Sequence, residues 1–296
     1  MTSPTSRTPG PVSPAKSVPA SSKPLEAEEL VDEHIHRPLA RLIIPWLART
    51  PITPNQVTFL SGLIGVIGGI LLGIGAHHHA LLPWSALLLF VSVVLDCCDG
   101  QLARIKNMSS TTGAVVDGLA DYAVGIGMGM GATYFIVAIF GNHWLWLLGL
   151  GGIASAALQS WFFDHAKTRY IARVRTGYAE REEDLGKIAE QRREAWNRGQ
   201  YWESILLLGY MNYSKMQNAA LAIAGTEDPV AYRARHAGRM RAWTWLGTGT
   251  HFALAYLAVL VSYWYPGAVV GYLLLHLVPL NLHLLGLVLT EPKPGT

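Results

Sequence analysis

The sequence predicts an all-α integral membrane protein with six transmembrane helices. An N-terminal amphipathic helix lies on the membrane surface, and a long cytoplasmic helical insertion separates helices 4 and 5. Two observations carry this. The 296 residues are 51% hydrophobic and only 15% charged, where an ordinary soluble domain is nearer a quarter charged. The charges are also segregated. From Ile35 to Phe163 the only acidic residues are Asp96, Asp99, Asp117 and Asp121, and between Pro51 and His165 the only Lys or Arg are Arg104 and Lys106. This excludes a disordered chain. Cys97 and Cys98 are adjacent and cannot make a disulfide framework. A formal net charge of +3 gives no nucleic-acid partner.

Residues 1–24 are rich in Pro, Ser and Thr and read as a disordered tail. No apolar core of a signal peptide precedes residue 42, so a cleaved leader is not expected. Residues 25–50 hold the interfacial helix, with Leu30, Ile35, Leu39, Leu42, Ile43, Trp46 and Leu47 at helical spacing. Residues 51–163 form a membrane core of four helices. Val57–Ala76, Leu81 onward to Arg104, Gly113–Phe140 and Leu145–Phe163 each approach the ~20 residues that cross a bilayer. Residues 164–241 are the cytoplasmic insertion, and 242–290 carry helices 5 and 6, Trp243–Tyr263 and Ala268–Leu289.

The connections near His77–Pro83, Gly141–Trp144 and Tyr265–Gly267 contain no Lys or Arg. The positive-inside rule then places both termini and the insertion in the cytoplasm, in a multi-pass inner-membrane protein. The insertion holds 14 basic and 10 acidic residues. Its segment Tyr201–Ala224 is interrupted by Glu203 and Lys215 and reads as a helix packed at the interface. Its arginines (Arg169, Arg173, Arg175, Arg233, Arg235, Arg239, Arg241) suit either a phosphorylated acceptor or anionic lipid headgroups.

The chemistry lies on helices 2 and 3. Asp96, Asp99, Gly100 and Ala103 share one helical face, and Gly113, Asp117 and Asp121 share another. The short turn between them makes the helices antiparallel neighbours. Asp96 lies about 15 residues, roughly 22 Å, below the outer end of its span, level with Asp117 and Asp121. Four carboxylates meeting at that depth repel one another unless they bind protons or a cation. Mg²⁺ or Mn²⁺ suits oxygen ligands and a phosphate substrate, and two carboxylate pairs suit two ions roughly 3.5–4 Å apart. Gly100, Ala103 and Gly113 remove bulk and leave a slot for a phosphorylated group, with Arg104 as a cation at its mouth. The same acids could also serve a divalent-cation or proton transporter. That reading needs polar groups along a path, whereas these cluster at one end. His77–His79 read as a solvated loop, His276 and His283 as packing residues, Cys97 and Cys98 as packing. Gly125, Gly127, Gly129 and Gly131 read as a close helix contact, within the chain or at a dimer.

Asp96-x-x-Asp99-Gly100-x-x-Ala103-Arg104, eight residues, then Gly113-x-x-x-Asp117-x-x-x-Asp121 resembles the signature of the CDP-alcohol phosphotransferase family. The resemblance implies a membrane phosphotransferase that moves a substituted phosphate from a CDP-alcohol, such as CDP-diacylglycerol, to an acceptor hydroxyl with release of CMP. It implies that Asp96, Asp99 and Asp117 bind metal, and that Asp121 touches a second ion and is the base. Gly100 and Arg104 would contact the CDP moiety, with Ala103 and Gly113 making room. Asn55 and Thr58, in Pro54-Asn55-Gln-Val-Thr58, and Ser110 would contact the nucleotide. A homodimer is also implied.

Overall fold

The computed structural model describes residues 24–174, 180–221 and 228–291, and all regular structure among them is helical. After a short turn at Leu25–Ala27, a wide helical turn at Asp32–His36 runs into α1 (Arg37–Ala48). There follow α2 (Pro54–Ile74), α3 (Leu82–Ile105), α4 (Thr111–Phe140), α5 (Leu145–Val174), α6 (Glu180–Asn197) and α7 (Tyr201–Leu221). The chain ends in α8 (Pro229–Trp243), α9 (Thr248–Ser262), α10 (Gly267–Leu277) and α11 (Pro279–Leu289). Five of the described helices are long and apolar enough to cross a membrane, and the α8–α9 pair, bent by 42°, makes a sixth candidate. This is a multi-pass membrane protein. Its outward side chains agree: Phe59, Leu63, Ile70, Leu147 and Leu282 are all exposed, as lipid-facing residues are.

Three differences from the sequence reading have local causes. The helix of the fourth span does not stop with its apolar stretch at Phe163: α5 continues to Val174, because charged residues extend a helix as readily as apolar ones once it leaves the apolar layer. The fifth apolar stretch is preceded by a helix of its own: Asp228 caps α8 by accepting from the Ala231 amide at 3.0 Å, and α8 passes through a bend at Thr244–Leu246 into α9. The sixth is two helices. Pro279 lacks the amide that would continue α10, and its ring opposes a helical residue before it. The tail at residues 1–23 lies outside the described residues.

α2 packs along both α3 and α4, α3 touches α9, and α5 packs on α4, α8 and α10. The main core joins Leu72, Leu89, Phe135, Ile136, Val259 and Leu273. α1 lies across α3, where Ala40 and Ile44 meet Cys98 and Leu102. Its other side leaves Leu42 and Trp46 exposed. Close approach of α2 and α4 depends on glycine. A Cβ on Gly131 would collide with the carbonyl of Gly69. Gly129 admits Ile153 of α5, while a Cβ on Gly125, which lines the large cavity, would meet no atom of the described residues within 4 Å.

The break between α10 and α11 is stitched from α5. The His276 carbonyl accepts from Ser155 Oγ at 3.1 Å and Gln159 Nε2 at 2.8 Å. Asn281 Nδ2 donates to Ser155 Oγ at 2.6 Å. Irregular backbone inside an apolar layer is tolerated where protein side chains satisfy it.

Candidate active site at the α3–α4 turn

Two turns are fastened together at the end of the bundle. Asn107 takes a left-handed conformation (φ 53°) between α3 and α4. Ser110 caps α4, its Oγ accepting from the Gly113 amide at 3.0 Å. Lys106 Nζ donates to the carbonyls of Thr50 and Ile52, both at 2.7 Å, and so ties this turn to the one that opens α2. Thr53 and Gln56 close a reciprocal cap at the start of α2. These contacts hold the first residues of α2 against the ends of α3 and α4.

Asp96 and Asp99 from α3 and Asp117 from α4 then converge. Each offers an oxygen, and the three oxygens lie within 4.8 Å of one another. Thr58 Oγ1 donates to Asp99 Oδ2 at 2.5 Å. Asp121, one turn beyond Asp117, stands outside this group of three but lines the same large cavity as Asp96 and Asp117. That cavity is about 740 Å³, within the usual size of ligand pockets.

The remaining sequence-predicted residues fall in two places. Gly113 lies against Ser110 and Asn55: a Cβ there would be 3.0 Å from Ser110 Oγ and 3.2 Å from Asn55 Oδ1. Gly100 and Arg104 are exposed on the next turns of α3, where a Cβ on Gly100 would meet only an Arg104 terminal nitrogen at 3.9 Å. Ala103 is half-buried. Asn55, Ser110 and Gly113 are thus together, as are Gly100 and Arg104, while Thr58 sits under the carboxylates.

Sequence reading missed the N-terminal contribution. Glu29 and Asp32 line the cavity, as does Lys167 of α5. Glu29 is buried and accepts from the Thr250 amide at 2.6 Å and its hydroxyl at 3.0 Å, at the first turn of α9. Burial pushes its carboxyl up to about 7, and neighbouring Asp32 adds to the rise. The segment is held by ion pairs. Arg233 grips Glu26 through two contacts, at 2.6 and 3.0 Å, and Tyr170 donates to the same carboxylate at 2.6 Å. Burial would raise the Glu26 carboxyl, but the hydrogen bonds from Arg233 and Tyr170 outweigh it and bring it down to about 2. Arg37 pairs with Glu28, and Arg241 reaches Glu33 at 3.2 Å. Five acids within residues 26–33, opposite an arginine-rich α8, were the available signal.

A set of three clustered carboxylates has the donor chemistry of a hard divalent cation. Residues 51–181 match the family model for CDP-alcohol phosphatidyltransferase. Those residues are a CDP-alcohol phosphatidyltransferase domain. The phosphatidyltransferase domain contains all of α2–α5. A bifunctional IPC transferase and DIPP synthase of Rubrobacter xylanophilus is 35% identical over 115 residues, which is 38% of this chain and 25% of the relative. A protein of the same name from Thermococcus kodakarensis is 31% identical over 91 residues, 31% of this chain and 19% of the relative. The chain therefore matches a quarter or less of the length of these curated relatives.

Proposed function

We propose that this protein transfers a substituted phosphate from a CDP-alcohol to an acceptor hydroxyl, releasing CMP, in phospholipid biosynthesis. The donor is CDP-diacylglycerol or a similar CDP-lipid. The observation that carries this reading is the convergence of Asp96, Asp99 and Asp117 beside a large cavity at the end of an apolar helix pair. The relatives, a transferase and synthase by name, support the reaction class.

In the reaction the acceptor oxygen bonds to the phosphorus that carries the alcohol. The bond from that phosphorus to the bridging oxygen breaks, and CMP leaves. Asp96, Asp99 and Asp117, with Asp121 completing a second position, would hold one or two Mg²⁺ or Mn²⁺ ions. Ions held there would supply positive charge to offset the negative charge of the diphosphate and of the leaving phosphate. Asp121, on the cavity wall, takes the acceptor proton. Arg104 offers its fork to the donor phosphates. Gly100, Ala103 and Gly113 leave room for the nucleotide, and Asn55 and Ser110 orient it. Thr58 acts on the same site through Asp99. Glu29, Asp32 and Lys167 complete the lining of the same cavity.

We place α1 in the membrane surface, its exposed Leu42 and Trp46 in lipid, and the termini, the insertion and the site in the cytoplasm. Reaction and sidedness are tested on one preparation. Inverted vesicles holding the protein should release CMP from CDP-diacylglycerol with one of inositol phosphate, glycerol phosphate or serine. Right-side-out vesicles should not. EDTA should abolish turnover, and Asp121→Asn should lower it at least ~100-fold while CDP-lipid still binds. Full activity after chelation, or in that variant, would refute the reading.

A further inference from the structure

A second cavity, about 240 Å³, lies between α5 and α8 and reaches Glu291 beyond α11. Its α5 lining lies mostly on the face turned away from the large cavity, and Trp161 is shared between the two. His165, Arg169 and Arg173 succeed one another every fourth residue on α5, facing Tyr232, His236 and Arg239 of α8. Glu291 is the one acid in its lining among the described residues. Arg169 pairs with Glu291 at 2.8 Å. Arg173 lies over the Tyr232 ring, 5.1 Å from its centroid. Arg239 donates to the Thr290 carbonyl and hydroxyl at 3.0 Å and to the Leu287 carbonyl, capping the end of α11. A guanidinium has five N–H donors in a fixed fork. Arg169 uses one acceptor here and Arg239 three, so each has donors to spare.

Depth gives this cationic cavity its meaning. The apolar stretch Leu145–Phe163 has 19 residues and is about 28 Å long, the thickness of a hydrocarbon layer. The arginines on the next turns of α5 stand at headgroup level. Basic pockets between spanning helices at that level take phosphate headgroups, and planar forks match phosphate oxygens in pairs.

We propose that the cavity between α5 and α8 is a binding site for a phosphate-bearing anion, separate from the carboxylate site. The source is a phospholipid headgroup or a soluble phosphate, and the test distinguishes them. The full chain is placed in nanodiscs of phosphatidylcholine with increasing phosphatidylglycerol, or in phosphatidylcholine alone with inorganic phosphate. Native mass spectrometry reads the retained anion, and thermal unfolding reads the shift in Tm. Arg169→Gln and Arg173→Gln should each weaken binding about fivefold. Arg198→Gln, which removes an exposed charge on α6 paired with Glu194, should change nothing. Dependence in the phosphatidylglycerol arm assigns the lipid; dependence in the inorganic phosphate arm assigns a soluble anion. Where a glutamine variant fails to fold, Arg173→Lys keeps the charge and should give a smaller loss. Equal binding by wild type and variants with both probes overturns the site. These readouts do not involve turnover, so this result and the phosphotransfer reading stand or fall separately.

Discussion

At the scale of single residues, the site depends on groups that touch the carboxylates rather than on the carboxylates alone. Thr58 is buried, and its hydroxyl meets Asp99 in one of the shortest polar contacts in the protein. Valine keeps the shape and removes the donor, so Asp99 loses a partner in a buried position. Thr58→Val should lower the apparent affinity for the activating cation about tenfold and cost about 1–2 kcal/mol of stability. A metal titration of CMP release and a thermal melt check this; an unchanged titration curve would show that Thr58 does not support Asp99. Glu29 gives a pH effect with a definite sign. Its carboxyl is raised from 4.5 to about 7 on folding, so the folded segment prefers the protonated form. Docking is strongest below pH 4.5, weakens as pH rises toward 7, and levels off above it. Hydrogen exchange of residues 24–36 between pH 5 and 8, corrected for intrinsic rates, should show protection falling. Glu29→Gln should flatten the profile, and an unchanged slope would place the titration elsewhere. Glu26 acts on the other side: with its carboxyl lowered to about 2, its contribution is present above pH 4.5 and lost only in stronger acid.

Among the helices, spacing does the work. The α2–α4 contact is set by glycine against backbone at Gly69 and Gly131, and small residues are what allow spanning helices to approach. Gly131→Ala should destabilise by about 1–3 kcal/mol, because backbone cannot move aside as a side chain can. Gly125→Ala, with nothing within 4 Å, should be neutral within the chain. Thermal melts in detergent of both variants test the pair, and equal behaviour would contradict the packing. The sequence spacing made this glycine face legible. It could not say which glycines meet a neighbour, since that is decided by how α2 lies across α4. The carboxylates were legible for a similar reason: helical periodicity puts Asp96 with Asp99, and a short turn makes their partner helix antiparallel. The break at Val278–Pro279 was not read as two helices, although Pro279 was visible, because the compensating donors Ser155 and Gln159 lie over 100 residues away.

For the whole molecule, the six apolar stretches were plain from composition, whereas the closure of the bundle was not. An N-terminal acidic stretch beside an apolar chain reads as surface. It becomes interior only when α8 supplies Arg233 and Arg241 and α9 supplies the Thr250 amide. Those pairings span more than 200 residues, and no local pattern encodes them. The arginines of α8 had two open readings, lipid or acceptor. The structure gives Arg233 and Arg241 a third role, as anchors for this stretch, and leaves Arg239 at the end of α11.

One further consequence follows from Lys106, whose single amine bridges the loop after α1 and the loop before α4. Both loops hang from one rivet. A displacement of α1 would strain both hydrogen bonds, and the strain would reach the turn that leads into Asp117.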